Sequence, residues 1–588
     1  MGGHRAAVTP WRLAGGAALV AFLGVFFLWP VAEIVARGIA PDGSLDLAGI
    51  GEVLGRSRTL RIVGQTLAQA VIATVACVLL GLPGAFVLYR LRFRGRAAVR
   101  ALALVPFVLP TVVVGVAFKV LFAGTPLDGS WWAIVLALVF FNVAVVTRTV
   151  GIAWEELDPS IEESAADLGS GPWSTFGRVT LPRLGPALVS AAIIVFLFSA
   201  TAFGVVLVLG GARFGTVETE IWLLTSQYLD LPGAAGLSVV QLVFVVAVLW
   251  AAGRARSRTE LRTPFAGRAP RRGDWPVAAG STVVGVLLAV PIAALVGRSF
   301  ASAGGGWTLD HWAALTGLGR GAGSGGAVLG VTPLEALGNS LAFAAAGAFV
   351  AMLVGLGASV LLSRPVASRW GSRLRAGLEG ALMLPLGVSA VTLGFGYLVA
   401  LDAPPLDLRS SPVLVPMAQA LVAAPLVIRT LLPVLRGVDP LLRDAAADLG
   451  AGPGRVLWSV ELRLAVRPIV AAAGLAFAVC LGEFGATAFL SRPDAATLPV
   501  VIERLASHPG PGNLAMANAA AVLLALVTVA ALGIAELAGA GPDGRLRRRE
   551  PARPGRSAPA ASSPRGGTSI PGAPVAARAR AGRAHRSS

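Results

Sequence analysis

Few side chains in this sequence could do chemistry, and their spacing limits what chemistry that could be. The one lysine, Lys119, stands in an apolar run without a G-x-x-x-x-G-K-[ST] frame, so the chain shows no phosphate-gripping loop of its own. The glycine-rich stretch beginning at Ala303 has no strand before it and reads as a flexible loop. Cys77 and Cys480 both fall inside apolar runs, as buried small side chains do. His311 and His508 have no companions at metal-ligand spacing, and no Ser-His, Cys-His or metal cluster supports a membrane enzyme. Glu483, in "CLGEFGATAFL", is the most informative polar residue in an apolar run. A carboxylate in hydrocarbon is costly. It either lines a pathway, forms a structural ion pair, or sits at a helix end near water. Glu218 and Glu220, in "TVETEIW", read as loop charges or contacts for a partner protein.

The second signal is a polar phrase that occurs twice. "AADLGSGP" runs from Ala165 to Pro172 and "AADLGAGP" from Ala446 to Pro453, differing only at Ser170 against Ala451. Each lies in a long loop, 155–184 and 437–467, where short connections are the norm. Each reads as a short helix followed by a break. Asp158 is placed to cap the first with Pro159 at its first position, and Gly169 and Gly450 are placed as helix stops. Small residues at Ala165, Ala166, Ala446 and Ala447 would let a partner's backbone approach closely.

Such loops need a scaffold. The chain has 588 residues, 55% hydrophobic and 14% charged, with a formal net charge of +18. Its mean hydropathy of +0.75 exceeds that of a water-soluble globule. Long continuous apolar runs recur, each near the ~20 residues that cross a bilayer. They predict an all-α membrane protein of about twelve spans, not a β-barrel with its short alternating segments. The spans are read near 12–36, 62–89, 100–123, 131–153, 185–208 and 237–253, then 276–298, 339–363, 376–400, 412–435, 468–490 and 514–538. Arginines cluster in alternate loops, as in "YRLRFRGRAAVR" and "SRPVASRWGSRLR". That pattern argues for topology signals over nucleic-acid binding, and it puts both termini and both repeated phrases in the cytoplasm.

The echo extends over the whole half. "GQTLAQA…LLGLPGA" from Gly64 resembles "GNSLAFA…LVGLGAS" from Gly338, and "AFG" at Ala202 stands where "EFG" stands at Glu483. Pro106 and Gly115 keep the spacing of Pro385 and Gly394. The organisation expected is a first half over 1–253, a basic linker over 254–275, a second half over 276–538 and a disordered basic tail over 539–588. Six spans per half make the halves parallel repeats about an axis along the membrane normal.

Here the chain resembles a known family. Glu163-Ser164-Ala165, three residues, Gly169, nine residues and "VTLP" from Val179 is similar to the EAA loop of ABC importer permeases. The second copy, Asp444-Ala445-Ala446 with Gly450 and "VELR" from Val460, departs by Asp for Glu and by Arg463 for the closing proline. The resemblance implies the type I importer permease fold, in the fused double-permease branch that serves thiamine and iron(III). It implies coupling loops made by Glu163, Ala165, Ala166, Leu168, Gly169, Asp444, Ala446, Ala447, Leu449 and Gly450. It also implies two copies of an ABC ATPase, which bind the ATP, and an extracytoplasmic substrate-binding protein. The chain itself would be no enzyme, bind no cofactor or nucleic acid, and cross the cell membrane many times. Its cargo would be a small cation, with Glu483 on the pathway. The alternatives are a permease for another small solute, or an ion-coupled secondary transporter. The latter would need carboxylates within spans of both halves, and Glu483 has Ala202 as its counterpart.

Overall fold

The computed structural model describes residues 10–540 apart from 41–43, 45–46, 212, 256–266, 303, 318–328, 365–367, 403–406, 410 and 511. The expected tail from residue 541 on, part of the linker and part of the glycine-rich loop thus lie outside the described residues. The apolar runs are helical because a bilayer supplies no water to unpaired backbone groups, so each spanning segment satisfies its own. Among the described residues, nine helices are long and apolar enough to cross alone, and three bent pairs bring the count to twelve. The all-α, twelve-span architecture is therefore the one expected.

Three spans differ from the straight runs read in the sequence. Arg96–Val108 and Thr111–Phe122 meet at 93°, and Arg369–Leu386 and Ala390–Ala400 at 98°. Local chemistry explains both breaks. Pro110 has no N–H to give and holds Leu109 extended, at ψ 138°. In the second half the Ser389 hydroxyl accepts from the amides of Val391 (3.1 Å) and Thr392 (3.2 Å), restarting the helix. The eleventh span is bent by 73° between Leu464 and Val466, and its helix stops at Gly482, not near 490. The fifth span runs over Pro172–Ala200 and is followed by a separate helix, Gly204–Gly210.

The two halves are built on the same crossings. Ser57–Ala85 packs on Trp131–Glu155, and Pro333–Ser363 on Leu414–Arg436. Glycine makes each contact close, as is usual between membrane helices. A Cβ at Gly81 would stand 2.8 Å from Val146 Cβ, and one at Gly355 would stand 2.5 Å from Val427 Cγ1. The halves are also interlocked. Trp29–Ile39 of the first half packs on Ala390–Ala400 of the second, and Trp275–Ser299 packs on Thr111–Phe122. At the centre Phe203 and its repeat equivalent Phe484 stack on each other, centroids 5.3 Å apart and planes 20° from parallel.

These crossings leave no room for side chains. Gly81→Leu or Gly355→Leu is expected to overpack the contact by ~1–3 kcal/mol. The melting temperature and the monodisperse yield from membranes should both fall. Gly357→Leu is the control, since a Cβ there meets nothing within 4 Å; an equal loss in that variant would refute the crossing as the cause.

Candidate functional site

The two repeated phrases fold alike. Asp158 Oδ1 accepts from Ser160 N at 2.9 Å and caps Pro159–Asp167; Asp439 Oδ1 accepts from Leu441 N at 2.9 Å and caps Pro440–Asp448. Proline occupies the first turn of both helices, where its missing N–H is not needed. Both helices end in the same glycine turn. Gly169 has φ 81° and Gly450 φ 82°, a conformation that side chains strain to adopt. Ser170 N then reaches back to Ala165 O, and Ala451 N to Ala446 O, at 3.0 Å each.

Neither helix buries a residue. Glu163, Ala166, Asp444 and Ala447 are exposed, while Ala165 and Ala446 are half-buried. Leu168 is 89% exposed and Leu449 90%, each at the tip beside its glycine. Trp173 and Trp458 add apolar surface on the segments that follow. Apolar tips on unburied helices are surfaces for a partner, since water is a poor neighbour for them.

What holds these helices in place was not read in the sequence. Arg90 closes the second span and is only 2% exposed. Its guanidinium donates to Glu162 Oε2 at 2.7 Å and to the Leu157 carbonyl at 3.1 Å. Thr180 Oγ donates to the other Glu162 oxygen at 2.9 Å. The backbone of Arg90 also accepts from Arg268 N at 2.9 Å, which docks the end of the linker there.

The second half makes the same clamp with the charges redistributed. Arg364 stands where Arg90 stands, Arg443 where Glu162 stands, and Glu461 where Thr180 stands. Glu461 is fully buried; it accepts from Arg364 Nη2 at 2.8 Å and pairs with Arg443 Nε at 2.8 Å. Arg90, Thr180 and Glu461 each close a single π-helical turn, a local bulge that re-aims a side chain. A neighbouring pair shows the same exchange. Arg100 binds Glu155 at 3.0 Å in the first half, and Glu379 binds Arg436 at 2.7 Å in the second. The sequence signal was present, as an arginine ending span two and another ending span eight, but the partners lie far along the chain.

Glu483 is not in the middle of a span. It follows the helix Val466–Gly482 and is 7% exposed. Its carboxylate accepts from Ala486 N at 2.7 Å, from Thr487 N at 3.1 Å and from the Thr487 hydroxyl, so the next turn satisfies it. It stands at a helix end, and its hydrogen bonds are to that next turn. Glu218 and Glu220 are not loop charges: they belong to the helix Val217–Ser226, 0% and 3% exposed. Glu220 pairs with Arg58 at 2.7 Å. His311 and His508 hydrogen-bond to carbonyls, and Cys77 and Cys480 are buried free thiols.

Duplicated six-span halves with interlocked broken helices, and two similar loops lacking a buried face, make a polytopic membrane protein built from two repeated units. The chain belongs to the family "Binding-protein-dependent transport system inner membrane component", matching it over residues 49–258 and again over 355–538. It is 31% identical to the sulfate transport system permease protein CysT of Escherichia coli, over 40% of this chain and 89% of that one. It is 26% identical to the probable ABC transporter permease protein y4fN of Sinorhizobium fredii, over 87% of this chain and 93% of the relative. To the ferric transport system permease protein FbpB of Actinobacillus pleuropneumoniae it is 23% identical, over 82% and 72% respectively. Proteins of this family are membrane subunits of transporters, and this chain is one of them.

The clamp makes a prediction that depends on its polarity. Glu162→Arg alone should set a second cation against Arg90 and cost ~3–5 kcal/mol, as breaking a buried pair does. Adding Thr180→Glu recreates the arrangement of the second half and should restore most of that loss. Thermal melting and hydrogen exchange of residues 159–169 report it; a double variant no better than the single one would refute the equivalence of the two clamps.

Proposed function

We propose that the chain is the fused permease of an ATP-binding-cassette importer, each repeated loop seating one ATPase subunit. The observation that carries this reading is the pair of loop helices that bury nothing of their own, offer Leu168 and Leu449 outward, and are pinned by Arg90 and Arg364. Such an element transmits force. A partner that moves the loop helix also moves the end of the second or eighth span, because the ion pairs resist separation. The chain has no phosphate loop, so ATP would be bound and hydrolysed by the partners. Two similar loops call for two ATPase copies. The opposite face would receive an extracytoplasmic binding protein.

The orientation follows from arginine placement: loops, linker and termini on the cytoplasmic side of the cell membrane. Relatives are named for sulfate and for ferric iron, so likeness alone does not choose a cargo. A small cation of the thiamine or iron(III) kind is the reading we favour. The fused double form and the "LGEFG" stretch around Glu483 resemble that branch.

Leu168 and Leu449 are nearly free of contacts within the chain, so Leu168→Asp with Leu449→Asp should leave folding within ~0.5 kcal/mol of wild type. The double variant should lose ATPase capture from membranes and all ATP-driven uptake. Undiminished ATPase capture would sink the docking assignment. Gly169→Val with Gly450→Val should instead distort the loop tips and uncouple hydrolysis from uptake.

Orientation is checked by labelling. Both native cysteines are buried, so single cysteines introduced at Thr308 and at Ser170 can be labelled without background. Thr308→Cys should react from outside intact cells and Ser170→Cys only after permeabilisation. The reverse pattern would place the loops away from any cytoplasmic ATPase.

A further inference from the structure

The first half carries a buried carboxylate that the coupling machinery does not use. Glu218 is fully buried in Val217–Ser226, a helix that follows the fifth span and packs against Leu231–Ala255 and Ala390–Ala400. One of its oxygens accepts from the Gln241 amide of its own half. The other accepts from Ser389 Oγ of the second half at 2.6 Å. Ser389 sits at the break of the ninth span. Among the described residues no cationic side chain pairs with Glu218. The Gln241 carbonyl oxygen is also buried without a partner.

The surroundings are aromatic. Trp222 lies one helical turn from Glu218, on the same side of the helix. Its ring centroid is 6.4 Å from that of Phe203, which stacks on Phe484 between the halves. Thr216, the cap of this helix, donates to the Ala202 carbonyl at 2.8 Å, which ties the helix start to that stack. We propose that Glu218, Gln241 and Ser389, with the Phe203–Phe484–Trp222 group beside them, form a site on the transport path for an organic cation.

The chemistry selects the ligand. The carboxylate and the unpartnered amide oxygen are acceptors, so an oxyanion would meet repulsion there and a cation would be drawn in. Aromatic faces attract an organic cation. A bare metal ion asks for more oxygen or nitrogen ligands, and no group of three or more His, Cys, Asp or Glu side chains suited to a metal occurs among the described residues. The position is that of a transport site: at the repeat interface, at a broken helix. Relative motion of the halves would separate Ser389 from Glu218 and free a carboxylate oxygen for cargo. The site is single. Pro499 occupies the place of Glu218 in the repeat, Asn518 that of Gln241 and Pro110 that of Ser389. One path through two pseudo-equivalent halves needs one such site.

This inference rests on the importer reading, but it is tested on the permease alone, so the two can fail separately. The full-length chain in nanodiscs is titrated with labelled thiamine as the probe, and putrescine and sulfate are offered as competitors. Wild type should bind thiamine saturably, with putrescine competing and sulfate not. Glu218→Gln should weaken thiamine binding at least about tenfold, equivalent to ~1.4 kcal/mol. Glu218→Asp keeps the charge and should retain most of the affinity, which separates loss of charge from loss of fold. ATPase capture through the loops should be normal in both variants. Competition by sulfate, no saturable cation binding in wild type, or undiminished binding in Glu218→Gln would each overturn the site while leaving the docking loops standing.

Discussion

A guanidinium that closes a membrane span and is nearly removed from water must be paired, and much of the loop face follows from that constraint. Arg90 satisfies it with Glu162, the Leu157 carbonyl and, through its own carbonyl, the linker at Arg268. One residue therefore fixes the end of the second span, the start of the loop helix and the return of the linker. In the second half Arg364 ties the span end to Glu461, which in turn pairs with Arg443 of the loop helix. Without such anchoring, a nine-residue helix with no buried face would have little to orient it. Isolated helices of that length are marginal in water.

The two halves are alike in backbone and unlike in polarity. The carboxylate of the clamp lies on the loop helix in one half and on the returning segment in the other. Arg100–Glu155 has become Glu379–Arg436. Exchange of this kind leaves each contact intact while setting like charges against each other in a crossed arrangement, Arg100 with Arg436 and Glu155 with Glu379. In a chain whose halves interlock through Trp29–Ile39 and Trp275–Ser299, that discriminates against the wrong pairing. At the centre the likeness is kept in Phe203 and Phe484 and abandoned at Glu218. On the importer reading proposed above, the loops would serve two similar partners, whereas the path would serve one cargo.

Glu483 and Glu218 show where reading from sequence reaches its limit. Both are acids in apolar surroundings, and Glu483 is the more conspicuous because its run is longer. In the folded chain Glu483 is satisfied by the turn that follows it. Glu218 draws its partners from a span of its own half and from the break of a span in the other. Glu483 finds its partners three and four residues on, but nothing within a few residues of Glu218 points to Gln241 or Ser389. The broken spans were hidden for a related reason. Pro110 and Ser389 interrupt a helix whose apolar pattern continues on both sides, so hydropathy joins what geometry separates.

By itself the sequence determined the class, the twelve spans, the duplication, and the form of the loop helices. These depend on local properties: apolar length against bilayer thickness, Asp158 and Asp439 as caps, prolines at first turns, and glycines whose positive φ ends Pro159–Asp167 and Pro440–Asp448. The tertiary structure alone decided which arginines clamp the loops, which acids are buried with which partners, how the halves interlock, and that equivalent phenylalanines meet at the centre. Those outcomes depend on charges and rings that lie far apart in the chain and meet only when helices pack, and there burial makes each unpaired charge too costly to leave.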